Sequence, residues 1–210
     1  MPAPPADAPD YPFVPHYVQT EAGRLHYVDT GEGAPVVMLH GNPTWSFLYR
    51  RLIRRLRPGH RCIAPDYIGF GRSDKPADAD LTPPAQAARV EALLNRLDLS
   101  GITLVVHDWG GPIGLSYALR YPQRIRRLVL MNTWMWPLDG DAWITRFSRL
   151  AGSPLGRTLI TRCNAFARGV LPLAFADRSR LSDAAFRHYL APLAAPTDRI
   201  GSWAFPRALR

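Results

Sequence analysis

Short apolar runs alternate with stretches of helical periodicity over roughly the first two-thirds of the chain. Leu25–Thr30 predicts a strand, and Gly31-Glu32-Gly33 after it a hairpin-type turn. Pro35–Leu39 is a continuous apolar run, as expected of a strand covered on both faces. Leu48, Leu52, Ile53 and Leu56 then recur at helical spacing, opposite Arg50, Arg51, Arg54, Arg55 and Arg57. That pattern predicts an amphipathic helix with a solvated arginine face. Arg61–Pro65 is the next strand. Ala87, Val90, Leu93, Leu94 and Leu97 form the stripe of a second helix, with Thr82 as its cap and Pro83 at its first position. Residues 102–106 and Leu128–Met131 supply two further strands around a helix-like stretch from Pro112 to Leu119. Strands alternating with helices predict an α/β protein with a mostly parallel sheet, flanking helices and right-handed crossovers.

The pattern changes after Asn132. Trp134 to Arg210 has helical stretches rich in Pro, Phe and Trp, without a clear apolar strand. Three regions follow: a flexible arm over 1–15, an α/β core over 16–133 and a helical cap over 134–210.

The chain has 210 residues, enough for one domain with a sizeable core, and a formal charge of +9. Nearly all of its basic residues are arginine, Lys75 being the only lysine. No binding motif or basic-aromatic interleaving accompanies the charge, so a nucleic-acid partner is not expected. Cys62 and Cys163 lie far apart and read as buried free thiols. Met1–Pro15 lacks the basic and apolar regions of a signal peptide, and no run approaches the length of a membrane span. No membrane partner and a cytoplasmic location are therefore expected.

Chemistry concentrates at Val106-His107-Asp108-Trp109-Gly110-Gly111, between an apolar strand and a helix. A tight strand-to-helix turn holds its central side chain out at the carboxyl edge of a sheet, where open α/β sheets bind ligands. This is the nucleophile-elbow pattern, usually built on serine. Here the central residue is Asp108. A carboxylate nucleophile makes an ester with an alkyl carbon, which shifts the substrate class from acyl compounds to electrophilic carbon. Alone, Asp108 could also be a helix cap, Trp109 a core aromatic and Asn42 an Asn-Pro turn residue; it is their pairing that points to chemistry.

Three stretches taken together, His40-Gly41-Asn42-Pro43-Thr44-Trp45-Ser46, Asp66-Tyr67-Ile68-Gly69-Phe70-Gly71-Arg72-Ser73-Asp74-Lys75-Pro76 and His107-Asp108-Trp109-Gly110-Gly111, resemble the haloalkane dehalogenases of the α/β-hydrolase superfamily. The resemblance runs from about Tyr17 to Arg210. It implies an α/β-hydrolase fold with Asp108 as nucleophile, displacing halide to leave an alkyl-enzyme ester. It implies Asn42 and Trp109 as halide ligands through side-chain N–H donors, and their backbone N–H groups as the oxyanion hole. Asp66, Gly69, Gly71 and Ser73 match the family's structural turn, with Asp66 as a local acceptor. Trp134 and Trp136 are the better pocket candidates among the cap aromatics. The implied partners are a small halogenated alkane, water and halide, with no cofactor and no metal. The family's histidine base and its orienting acid follow later strands. In the resemblance those strands and the last helix would lie beyond Arg210, so the chain reads as the first two-thirds of such an enzyme. His188 reads as a cap-packing residue, and His40 and His107 as locally bonded ones. Two alternatives stay open. An epoxide hydrolase shares the aspartate, but usually has an aromatic at the Asn42 position and uses cap tyrosines, of which Tyr189 is the only one here. A non-catalytic remnant would follow from the unplaced histidine.

Overall fold

The computed structural model describes residues 11–138 and 140–209. Its six strands are β1 (Pro15–Thr20), β2 (Gly23–Thr30), β3 (Ala34–Leu39), β4 (His60–Pro65), β5 (Ile102–Asp108) and β6 (Ile125–Thr133). They form one sheet in the order β1-β2-β4-β3-β5-β6. β1 and β2 are antiparallel, β2 meets β4 antiparallel, and β3 to β6 pair in parallel. The parallel strands are joined by α1 (Arg50–Leu56), α2 (Pro83–Arg96) and α3 (Gly110–Arg120). The rest of the described chain is mostly helical: α4 (Ala142–Gly152), α5 (Pro154–Thr161), α6 (Leu171–Leu173), α7 (Asp183–Leu190) and α8 (Ile200–Arg207), with a π-helical turn at Phe166–Val170 and short 3-10 turns between others.

The two-residue period of the strands distributes the core. Val36 and Met38 of β3, Cys62 and Ala64 of β4, and Val105 of β5 point to one side, where Trp45, Phe47 and, from the helical region after β6, Leu171, Ala185 and Tyr189 cover them. Val37 and Leu39, Ile63, and Ile102, Leu104 and Val106 point to the other, against Val90 and Leu94 of α2 and Ile113 and Tyr117 of α3. Both faces of the central strands are thus buried, which is why Pro35–Leu39 has no polar alternation. β6 differs. It lies at the end of the sheet, and Leu128, Val129 and Leu130 are exposed.

Several expectations are corrected. Tyr11 and Phe13 are buried against Trp45 and Phe47, so the aromatic end of the expected 1–15 arm is core; residues 1–10 lie outside the described residues. The turn at Gly31-Glu32-Gly33 is not a hairpin, because β4 lies between β2 and β3 in the sheet. The hairpin is β1–β2, turning after Thr20. Arg50 does not join the solvated face of α1. It is buried, with its guanidinium 3.9 Å from the Phe47 ring centre and donating to the Phe47 carbonyl. Thr82 occupies the cap position of α2 without making a side-chain cap bond. Cys62 is buried, but Cys163 is exposed.

Candidate active site

Asp108 ends β5 with φ of +51°, and Trp109 leads directly into α3. A left-handed backbone is strained for a residue with a side chain, and such strain persists only where the surroundings hold it. Here the Thr133 hydroxyl of β6 donates to the Asp108 carbonyl at 2.6 Å. The turn aims the carboxylate at the end of β3, where the Asn42 backbone N–H donates to Oδ1 at 2.7 Å. The Trp109 backbone N–H also bonds the carboxylate. Gly41 makes this approach possible, since a Cβ there would overlap Asp108 Oδ1 and Cβ. Burial pushes the Asp108 carboxyl up to about 6, and the two backbone donors hold it from rising further.

The loop that carries Asn42 is tied from beneath. The Tyr67 backbone N–H donates to His40 Nε2 at 3.3 Å, so Nδ1 carries the proton and donates to the Gly41 carbonyl at 2.9 Å. Burial pushes His40 down to about 4 and keeps it neutral near pH 7. The hydroxyls of Tyr67 and Tyr49 donate to the carbonyls of His40 and Leu39 at 2.9 and 2.7 Å, satisfying the strand end inside the core.

Of the residues singled out in the sequence, Asp108, Asn42 and Trp109 converge. The Asn42 side chain donates through Nδ2 to the Ser202 carbonyl of α8 at 3.0 Å, and its Oδ1 is buried without a partner among the described residues. The Trp109 ring is buried, with ring centres 5.0 Å from Trp134 and 5.1 Å from Phe205. Trp134 therefore packs on the site. Trp136 does not: it is 64% exposed and lines none of the described cavities. The largest described cavity, about 1070 Å³, lies between α5 and α8 and touches none of Asp108, Asn42 or Trp109.

Asp66 proves to be more than a local acceptor. It is fully buried, accepts from the Ser46 and Arg72 backbone N–H groups at 2.7 and 2.8 Å, and pairs with His26 Nδ1 at 2.9 Å. Burial alone would raise its carboxyl. The His26 charge and hydrogen bond, then His40 and the Arg72 amide, outweigh burial and hold it at about 2. Ser73 closes the knot, donating to the Asp66 carbonyl and accepting from the His26 N–H. His26 and Ser202 were not singled out in the sequence. The only signal for His26 is an imidazole at an inward position of a strand.

No histidine among the described residues hydrogen-bonds Asp108 or shifts its carboxyl. His26 and His40 are engaged as above. His188 stacks on Phe47 with ring centres 5.0 Å apart and bonds the Ala184 carbonyl. His107 is held below its ordinary value by burial, and its Nδ1 is buried without a partner among the described residues.

This fold and elbow have known counterparts. The α/β hydrolase fold family matches residues 34–160. Haloalkane dehalogenase 2 of Mycobacterium tuberculosis is 39% identical over 199 residues, covering 95% of this chain and 68% of the relative. A cis-3-alkyl-4-alkyloxetan-2-one decarboxylase of Shewanella oneidensis is 42% identical over 203 residues, covering 92% of this chain and 62% of the relative. Among solved structures, the haloalkane dehalogenase of Agrobacterium tumefaciens C58 superposes with a TM-score of 0.84 at 33% identity, covering 93% of this chain and 68% of that one. The chain belongs to the α/β-hydrolase superfamily and, within it, to the haloalkane dehalogenase family of hydrolases. It spans roughly two-thirds of the length of these relatives.

Proposed function

We propose that Asp108 is the nucleophile of a hydrolase acting on saturated carbon, with a small haloalkane as substrate. A carboxylate oxygen forms a C–O bond to the substrate carbon while the carbon–halogen bond breaks and its electron pair leaves as halide. The side-chain N–H donors of Asn42 and Trp109 receive that halide. The backbone N–H groups of the same residues hold the carboxylate during attack and the oxyanion during ester hydrolysis. One observation carries the reading: a carboxylate on a left-handed strand-to-helix turn accepts the Asn42 amide at 2.7 Å and the Trp109 amide beside it. No histidine among the described residues bonds Asp108, so this reading gives the second step no base in place and the ester persists. The test is intact mass after incubation with 1-bromobutane, beside Asp108→Ala. A stable butyl adduct on the parent protein alone is expected. Folded protein that forms no adduct, or that releases bromide over many turnovers, would overturn the reading.

The relative at 42% identity supports a second substrate for the same carboxylate, a cis-3,4-dialkyl oxetan-2-one. Attack at ring carbon 4 breaks its bond to the ring oxygen and frees a carboxylate. Loss of CO2 then forms the C3–C4 double bond and expels the Asp108 carboxylate intact. No water is consumed, so this route needs no base. Multiple-turnover release of alkene, with the bromoalkane stalling at one equivalent, would select it.

A further inference from the structure

We propose that the outer face of the cap docks on an anionic lipid bilayer, with the groove between α5 and α8 seating lipid phosphate. Between Asp141 and Asp177 the chain carries Arg146, Arg149, Arg157, Arg162 and Arg168 and no acidic residue. The same stretch exposes large apolar side chains: Trp143 at 72%, Leu155 at 60% and Leu173 at 67%, with Leu150 and Leu159 between them. On α4, Trp143, Arg146 and Leu150 share one helical face; on α5, Leu155 and Leu159 do the same, with Arg162 following at the C-cap. An aromatic row joins the pieces. Trp143 stacks on Phe147 with ring centres 5.6 Å apart, and Phe147 meets Phe166 at 6.2 Å. A water-facing helix of a soluble domain carries its charge on that side and hides its leucines. Here leucine, tryptophan and arginine stand on the same side, the composition of a helix lying in a membrane interface.

The groove adds a place for the headgroup. Its cavity of about 1070 Å³ is lined by Arg157, Arg162 and Arg207 around Trp203, with no carboxylate among the lining residues. The guanidiniums of Arg157 and Arg207 lie 4.9 and 4.1 Å from the Trp203 ring centre. Both guanidiniums sit over the indole ring and carry N–H groups for a phosphate, which a guanidinium grips through two parallel hydrogen bonds. Charge selects the partner: five arginines and no acid between Asp141 and Asp177, which stand at the margins, match phosphate-rich lipid, whereas a second copy would set arginine against arginine. No helix among the described residues is long and apolar enough to cross a membrane, and lying on one requires none. The proposal does not depend on the reaction assigned to Asp108.

The test is sedimentation of the 210-residue protein with vesicles of phosphatidylcholine alone or mixed with phosphatidylglycerol. Binding is expected only to the mixed vesicles. It should weaken about tenfold or more as salt rises from about 0.1 M to about 1 M and the screening length shrinks. Arg157→Glu with Arg162→Glu should lower the partition coefficient on the order of a hundredfold. Trp143→Ser with Leu155→Ser should lower it about tenfold. Arg51→Glu with Arg55→Glu on α1 makes the same change in net charge away from this face, and should lower binding no more than about twofold. All these side chains are exposed, so the melting temperatures should stay together. Equal losses in the α1 control and the cap variants, equal binding to both kinds of vesicle, or no binding would overturn the proposal. So would a dimer in sedimentation velocity that Trp143→Ser with Leu155→Ser dissolves.

Discussion

Asp108 has a carboxylate where ionisation is opposed by burial and a backbone where a side chain is strained. Both features suit a nucleophile, because a carboxylate stripped of water attacks more readily than a hydrated one. With the carboxyl at about 6, the rate of adduct formation should be half-maximal near pH 6 and fall about tenfold per pH unit below it, as quench-flow or timed mass measurements would register. Gly41→Ala places a methyl group against the carboxylate oxygen. Adduct formation should drop on the order of a hundredfold while far-ultraviolet dichroism stays native; an unchanged rate would mean that the loop moves aside freely. At this scale the sequence is legible where chemistry is local. Asp108 and Trp109 are neighbours, and Asn42 sits in a loop whose glycine and proline advertise it. It is opaque where partners come from afar. His26 meets Asp66 across 40 positions, and Asn42 meets Ser202 across 160, and nothing in either segment announces the other.

The strands divide into two kinds. Leu104 on β5 is fully buried between sheet and helices, whereas Leu130 on β6 is 57% exposed. Leu104→Ala should lower unfolding stability by about 2–5 kcal/mol in a urea titration. Leu130→Ala should change it by less than about 1 kcal/mol, and Leu130→Lys should raise solubility by breaking an apolar sheet end. If the two alanine variants lost equal stability, β6 would have to be covered in solution. Periodicity alone identified the parallel strands and the arginine helix, since a run of five apolar residues and a 3.6-residue stripe are each specified within one element. It misread the turn after β2, because the glycines there serve a crossover as well as a hairpin, and only strand order separates the two. It also sent Arg50 to solvent, since a guanidinium can turn back onto an aromatic face with no change in spacing.

Across the whole molecule the buried titrating groups pull in opposite directions. His40, held at about 4, stabilises the fold fully above its unfolded value near 6.5. That contribution is lost as pH falls from there through 4. Asp108, raised to about 6, works the other way: its contribution is full below the unfolded value near 4 and is lost as pH rises through 6. Each amounts to about 3 kcal/mol, so stability should stay nearly level between pH 6.5 and 4. Asp66, held at about 2, then takes its share away as pH falls from about 4 to 2. Asp108→Asn removes one side of the balance. It should raise stability at pH 8 by about 3 kcal/mol and turn the plateau into a slope falling toward pH 4, both visible in melting curves across pH. A plateau retained in Asp108→Asn would show that the carboxyl is not raised.

The bond from Asn42 to the Ser202 carbonyl spans the fold, since one end lies in the loop after β3 and the other on α8. An amide has two N–H groups, and α8 occupies one of them, which fixes the plane in which the other can point. Breaking the bond to α8 would release that plane and let the amide turn. On the proposed reaction the loop would work as a clutch, its grip on the departing anion set by the bond to α8 and slackened when that bond breaks.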